Sequence, residues 1–204
     1  VGTSFEQYQN IYISPSLSLT YDDLQVSSTT SKQLQKQKGT FTDLAFSYGI
    51  MNDQRDRRFM PTDGYIVGFG QTIPLYADAP YIKNSFSTSI YESFSPNVIG
   101  AYKFWFDSAH GLNDEDVRLS KRIGAPDRRL RGFEKGKVGP KDNKDYVGGN
   151  YAVTMNFEAS LPKLLPEATK TDVGVFLDVG NVWGVDYDSS IDDSNKIRST
   201  TGLA

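Results

Sequence analysis

Eight segments of the chain alternate apolar and polar residues with a period of two, and this pattern restricts the fold more than any other feature. Alternation at this period is typical of β-strands that have two different faces. The segments cover residues 11–22, 43–50, 65–73, 82–94, 98–107, 151–158, 172–179 and 197–203. The sequence therefore predicts an all-β protein built from eight long strands.

The polar positions of these segments decide between two classes of β-protein. They hold mainly Ser, Thr, Gly and Ala, whereas the apolar positions are rich in aromatic residues. A soluble sandwich normally presents Lys, Glu and Thr to water, on strands of about 5–6 residues. In a transmembrane barrel, lipid-facing and lumen-facing residues alternate over about 9–11 residues. The sequence therefore favours part of an antiparallel transmembrane β-barrel over a soluble sandwich.

The strand ends and the connections agree with a barrel. Aromatic girdles mark the membrane interfaces of such barrels, and short turns on one side alternate with long loops on the other. Residues 95–97 form a short connection, whereas residues 27–38 and 108–148 form long ones. We expect residues 27–38 to be a solvated loop. The candidate girdle residues are Tyr12, Tyr21, Tyr65, Tyr81, Phe94, Tyr151 and Trp183.

Composition excludes several classes of function. The 204 residues hold 22 Lys+Arg and 25 Asp+Glu, a net charge of −3, which excludes a generally basic nucleic-acid-binding protein. Cysteine is absent, so disulfides, thiolate metal sites and cysteine nucleophiles are excluded, and His110 is the single histidine. No stretch reaches the ~18–20 apolar residues of a membrane helix. We therefore predict no metal and no cofactor.

Two groups of acidic residues could suggest a cation site. The first is residues 114–116, and their spacing matches no calcium-binding loop. We expect the second group to solvate a loop; its members are Asp186, Asp188, Asp192 and Asp193.

The connection over residues 108–148 is far longer than ordinary loops, and such loops are usually functional or disordered. Within it, residues 118–137 hold eight basic residues and two acids. A solvated charged loop is the ordinary interpretation of such a segment. The sequence Leu130-Arg131-Gly132-Phe133 instead places an arginine between apolar neighbours and a glycine, which indicates a packed turn.

Each of the two strands after this loop carries one acid on its inward positions, Glu158 and Asp178. An acid inside a barrel wall is costly unless it is paired or hydrated. A guanidinium offers carboxylates a rigid fork and stays charged when it is desolvated. We predict that the loop folds into the lumen and that Arg131 docks on Glu158 and Asp178.

Two inward carboxylates also permit an enzyme with a general acid and a general base. A neighbouring arginine would keep both acids ionised, which leaves no proton donor. His110 has no evident carboxylate to orient it. We therefore predict that the chain is not an enzyme.

Several motifs occur together in one order, and with them the chain resembles the BamA-type superfamily of outer-membrane barrel assembly proteins, which includes Sam50, Toc75, TamA and the two-partner secretion transporters. The hallmark of that family is Val/Ile-Arg-Gly-Phe/Tyr in its sixth extracellular loop, and residues 130–133 read Leu-Arg-Gly-Phe. The resemblance spans residues 41–204. Its further motifs lie at residues 58–64, 138–140, 147–150, 157–158 with 161–162, and 176–183.

The resemblance implies a sixteen-strand barrel in which the long loop joins strands eleven and twelve. Residues 1–204 would then be a fragment of the C-terminal barrel domain, strands seven to fourteen, without the periplasmic POTRA domains, the first six strands and the last two. In the family the motif arginine docks on acids of the barrel wall, which here would be Glu158 and Asp178.

The resemblance also implies a function and a location. The protein would insert and fold β-barrel proteins in the bacterial outer membrane. Its partners would be nascent barrel proteins, accessory lipoproteins and the lipid bilayer, with no nucleic acid. Three alternatives remain open: a two-partner secretion or TamA-like transporter of the same superfamily, a passive porin, and a soluble sandwich or enzyme.

Overall fold

The computed structural model describes residues 1–30, 35, 37–166, 172–185 and 196–203. The acids between residues 186 and 193 that we expect to solvate a loop lie outside these ranges. Among the described residues, no helix combines the length and the hydropathy needed to cross a membrane. The strands are β1 (Phe5–Tyr8), β2 (Ile11–Ile13), β3 (Ser16–Leu24), β4 (Gly39–Asp53), β5 (Gly64–Ala77), β6 (Tyr81–Ser95), β7 (Val98–Gly111), β8 (Lys141–Asp142), β9 (Asp145–Tyr146), β10 (Tyr151–Leu161), β11 (Val173–Trp183) and β12 (Arg198–Leu203).

Ten of these strands form one antiparallel sheet in the order β1-β2-β4-β5-β6-β7-β10-β11-β12, and β3 also pairs with β4. Strands β8 and β9 form a separate hairpin. Within the described residues, β1 and β3 form one edge and β12 forms the other, and the two edges do not pair with each other, so the sheet is open. The predicted all-β, antiparallel architecture is confirmed.

The structure differs from the sequence prediction in the bounds of some elements. Residues 11–22 are divided into two strands, β2 and β3, at Ser14 and Pro15, although both strands pair with β4 in one register and Ser14 exchanges two backbone hydrogen bonds with Gly49. The short strand β1 and the hairpin β8–β9 were not predicted. The connection between β7 and β10 covers residues 112–150 rather than 108–148, because β7 continues to Gly111 and β10 begins only at Tyr151.

The sheet has an apolar outer face. Phe69, Phe86 and Phe106 lie opposite one another on β5, β6 and β7 and therefore share that face. Phe46 and Phe157 lie on the same face, and they are 36% and 46% exposed. Large apolar side chains of the wall thus point outward, as a lipid-facing surface requires, rather than into a sealed core.

The inner face is covered by the connection between β7 and β10, which we call the loop (residues 112–150). Ile123 and Gly149 exchange two backbone hydrogen bonds of 2.8 and 2.9 Å, which join the outgoing and returning parts of the loop. The loop and wall together form the buried core of the chain. Its members are Trp105, Ala109, Val117, Ile123, Leu130, Val138, Ala152 and Val182.

Candidate functional site

Residues 130–133 form a tight turn at the tip of the loop. The backbone N–H of Leu130 donates to the carbonyl oxygen of Pro126 at 3.2 Å. Gly132 has a φ of +81°, in the left-handed region that favours glycine. A Cβ at Gly132 would lie only 3.1 Å from Oγ1 of Thr200 on β12. Glycine therefore permits both the turn and its close approach to the wall.

The residues on either side of the motif arginine anchor the tip in the core. Leu130 is 1% exposed and lies over Gly180 of β11, where an added Cβ would be 3.4 Å from its Cδ1. Phe133 is partly buried against the same core. The apolar residues of the motif thus pack in the core, and this packing fixes the position of the arginine between them relative to the wall.

Arg131 contacts both acids named from the sequence. Its Nε and Nη2 donate to the two carboxylate oxygens of Asp178, each at 2.7 Å, and its backbone N–H donates to Asp178 Oδ2 at 3.0 Å. Nη2 also donates to Glu158 Oε1 at 2.8 Å. The guanidinium carbon lies 3.7 Å from the ring centre of Phe176. This is the bidentate geometry in which arginine binds carboxylates most strongly.

Two further polar side chains complete this cluster. Asn156 Nδ2 donates to Asp178 Oδ1 at 2.7 Å and to the carbonyl oxygen of Arg129 at 2.6 Å, so it joins wall and loop. Lys103 Nζ lies 2.5 Å from Glu158 Oε2. We call Arg131, Asp178, Glu158, Asn156 and Lys103 the tip anchor. Its two cations and two carboxylates balance in charge.

The tip anchor is suited to holding the loop rather than to proton transfer. Hydrogen bonding to Asp178 raises the pKa of the Arg131 guanidinium above its usual value, although burial alone would lower it. Both carboxylates face cations at hydrogen-bonding distance. Among the described residues, no three His, Asp or Glu side chains are grouped so as to hold a metal ion. The arrangement can fix a loop to a wall by charge-assisted hydrogen bonds.

A second charged cluster, the limb anchor, holds the outgoing part of the loop to strands β3 and β4. Arg118 Nη2 donates to Asp43 Oδ2, and these side chains are only 4% and 8% exposed. Lys121 Nζ lies 2.9 Å from Asp22 Oδ2 and 3.3 Å from Asp43 Oδ2. The Arg118 guanidinium lies over the ring of Phe41 at 4.2 Å. The limb anchor consists of Arg118, Lys121, Asp22 and Asp43.

Several of these residues were not predicted from the sequence, although some of them occupy positions in the alternation where their residue type is unusual. Lys103 and Asn156 both occupy inward positions of the alternation, where charge and amide groups need partners. Phe176 is an aromatic residue on the inward side of β11, among small residues, and it faces Arg131. Arg118 and Asp43 are 75 residues apart in the chain, and no local pattern joins them.

The remaining candidate residues lie away from both anchors. His110 is exposed and meets the ring of Tyr151 edge-on at 5.3 Å. Tyr151 stacks on Trp183 at 5.5 Å, so two of the candidate girdle residues lie side by side at adjacent strand ends. Asp114 and Glu115 are exposed at the start of the loop.

Comparison with known proteins identifies relatives over the whole chain. Residues 1–204 match the family model described as the Omp85 superfamily domain. The outer membrane protein assembly factor BamA of Neorickettsia risticii is 26% identical over 191 residues, which are 91% of this chain and 26% of that protein. A SAM50-like protein of Schizosaccharomyces pombe is 30% identical over 147 residues, 66% of this chain and 30% of the relative. A human sorting and assembly machinery component 50 homolog is 24% identical over 128 residues, 61% of this chain and 27% of the relative.

A solved structure shares the fold. The crystal structure of BamA from Haemophilus ducreyi lacking POTRA domains 1–3 superposes with a TM-score of 0.83 and 20% identity. The match covers 99% of this chain and 46% of that one. The chain thus spans less than a third of the curated relatives and less than half of the solved chain.

Proposed function

The chain belongs to the Omp85 superfamily, and from that premise we propose that it is part of an outer-membrane protein assembly factor that inserts and folds β-barrel proteins. Two relatives support this function, since one is the outer membrane protein assembly factor BamA and the other is a component of a sorting and assembly machinery. The observation that carries the proposal is the tip anchor, in which Arg131 ties the inserted loop to Asp178 and Glu158.

The barrel proteins that such a factor would fold, which we call its clients, need it because their backbone polar groups must be paired in lipid. A nascent barrel must enter lipid without leaving backbone N–H and C=O groups unpaired. The edge of a barrel that is partly open can template a new strand and satisfy those groups as the client pairs. Opening and closing such an edge requires the rest of the wall to keep its shape, and a loop locked across the inner face supplies that support.

The proposal includes a location and an architecture. Residues 1–204 would be strands seven to fourteen of a sixteen-strand barrel, with POTRA domains before them in the full protein. The barrel would lie in a bacterial outer membrane, and its partners would be nascent barrel proteins, accessory lipoproteins and lipid. No residue of either anchor is assigned a catalytic role, and no cofactor is required.

The test is folding of a client barrel by the full-length protein in liposomes. We expect the protein to accelerate the appearance of folded, protease-resistant client over empty liposomes, and Arg131→Ala to abolish most of that acceleration. Arg128→Ala is the matched control, because Arg128 lies exposed in the same loop. Steady ion conductance without client folding would indicate a porin, and transport of a soluble substrate across the bilayer would indicate a secretion transporter; either result would refute the proposal.

A further inference from the structure

The loop contacts the wall through two charged clusters that lie on different parts of the sheet. The limb anchor is on β3 and β4, and the tip anchor is on β7, β10 and β11. Strands β5 and β6 contribute to neither cluster. At about 4.8 Å per strand, β4 and β11 are separated by about 24 Å along the wall. The loop therefore reaches across the inner face rather than resting on one place.

The limb anchor has a buried ion pair, Arg118 with Asp43, at its centre. Burial acts to lower the pKa of Lys121, but its interactions with Asp22, Asp43 and Tyr81 together raise that pKa above its usual value. The backbone N–H of Leu119 also donates to Gln37 Oε1 at 2.6 Å. Arg118 and Asp43 thus meet out of water, where the loss of either partner is far more costly than at a surface, and the partly exposed pair of Lys121 and Asp22 lies beside them.

The segment between the anchors is a folded body. Val117, Ile123, Leu130 and Val138 of the loop belong to one buried core. The paired hydrogen bonds between Ile123 and Gly149 close this part of the loop on itself. A displacement of the limb anchor is therefore transmitted to the tip, because packed cores resist continuous deformation.

From this geometry we infer that the two anchors make the loop a cross-brace, which fixes strands β3–β4 relative to β10–β11, and that Arg118 and Lys121 are positioning residues for Arg131. The inference deepens the supporting role of the loop in the proposed function, on which it rests. The sheet alone connects β4 to β11 through five lateral ladders, each free to change its twist. The brace adds a second connection across the inner face.

The experiment measures one distance that spans both anchors. The 204 residues contain no cysteine, so spin labels attach in this region only where cysteine is introduced. Labels at Phe46 on β4 and Leu177 on β11 lie on the outer face, away from the loop. A second pair, Ile90 on β6 and Leu177, spans the tip anchor but not the limb anchor. Distances are measured by double electron–electron resonance on the full-length protein in liposomes.

We expect Arg118→Ala to shift the 46–177 distance distribution to longer values and to broaden it, while the 90–177 distribution stays unchanged. Arg118→Lys should restore most of the wild-type distribution, because within the described residues the Arg118 side chain makes a single hydrogen bond, which a point charge can replace. Arg128→Ala is again the matched control. If Arg118→Ala does not fold, Lys121→Met removes the second cation and provides the same test.

Two results would overturn the inference. One is an unchanged 46–177 distribution in folded Arg118→Ala or Lys121→Met protein. The other is an equal change in both label pairs, which would indicate general loosening. Client folding is measured separately on the same variants. If the protein shows the expected distances but folds no client, the proposed function is refuted, whereas the inference that the loop is a cross-brace is retained.

Discussion

The two anchors hold the same loop by different physical means. In the tip anchor, Arg131 makes four hydrogen bonds to Asp178 and Glu158, and its side chain is 27% exposed. In the limb anchor, Arg118 is almost fully buried, yet its Nε and Nη1 and the Oδ1 of Asp43 have no hydrogen-bond partner among the described residues. The tip therefore depends on the shape of the guanidinium fork, whereas the limb depends mainly on opposite charges placed out of water.

Charge reversal at the tip should give the largest effect. Arg131→Glu would place three carboxylates together, one of them on Asp178, which is 0% exposed. We expect a loss of about 5 kcal/mol in the free energy of unfolding, at the upper end of the cost of breaking a buried ion pair. The measurement is guanidinium unfolding of the full-length protein in detergent micelles.

Compensation tests whether the loss comes from this contact. Asp178→Arg in the Arg131→Glu background should recover part of the stability, and the double-mutant cycle should show coupling. A cycle in which the two changes simply add would remove the claim that the pair holds the loop.

Replacement by lysine should separate the two anchors. Arg131→Lys keeps the charge but loses the fork and three of its hydrogen bonds, and we expect it to cost about 2 kcal/mol. Arg118→Lys keeps the charge that the limb anchor needs, and we expect a cost of about 1 kcal/mol or less. Both are measured by the same unfolding assay. Equal losses of unfolding free energy at the two positions would show that both anchors hold the loop by the same kind of interaction.

Removal of Lys103 should have a smaller effect than either change at Arg131. The side chain of Lys103 is partly exposed, and Glu158 would keep its hydrogen bond to Arg131. We expect Lys103→Met to cost about 1 kcal/mol, near the upper limit for partly solvated pairs. This cost is obtained from the unfolding free energies of the Lys103→Met variant, the Glu158→Gln variant and the double variant. A cost as large as that of Arg131→Glu would mean that Lys103, not the loop, neutralises Glu158.

The smallest effect should lie outside both anchors, in the connection between β4 and β5. Hydrogen bonds from the Thr62 hydroxyl and from nearby backbone N–H groups lower the pKa of Asp56 to about 2. The lowered pKa adds stability that is present above the ordinary value of 3.8 and is lost as the pH falls through about 2. Thr62→Val should raise this pKa toward 3.8, as followed by carboxyl NMR titration. An unchanged titration would show that the hydroxyl does not set it.

Much of the fold could be predicted from the sequence because strand alternation is a local property. The period of two assigned Phe46 and Phe157 to one face and Glu158 to the other without knowledge of the neighbouring strands. The division of residues 11–22 into two strands at Ser14 and Pro15 escaped prediction, because the side-chain alternation and the register with β4 both continue through these residues.

The candidate site was only partly accessible to the same reasoning. Arg131, Glu158 and Asp178 stood out because charges on an inward face need partners, and the structure places the three in contact. Arg118 and Asp43 could not be paired, since the contact depends on how the loop crosses the sheet. Tertiary packing sets that path, and no spacing of residues in the sequence indicates it.

The bare backbone of Gly180 beneath Leu130 has a consequence for variation in this region. Because Gly180 has no side chain, it leaves a recess in the wall, and Leu130, the first residue of the motif, fills this recess. A methyl group at 180 would lie 3.0 Å from the Val153 carbonyl oxygen and 3.4 Å from Leu130 Cδ1, so it would press on the wall while only touching the leucine. A smaller residue at 130 would leave a void that glycine cannot close. The wall thus selects the bulk of the motif as strictly as it selects its charge.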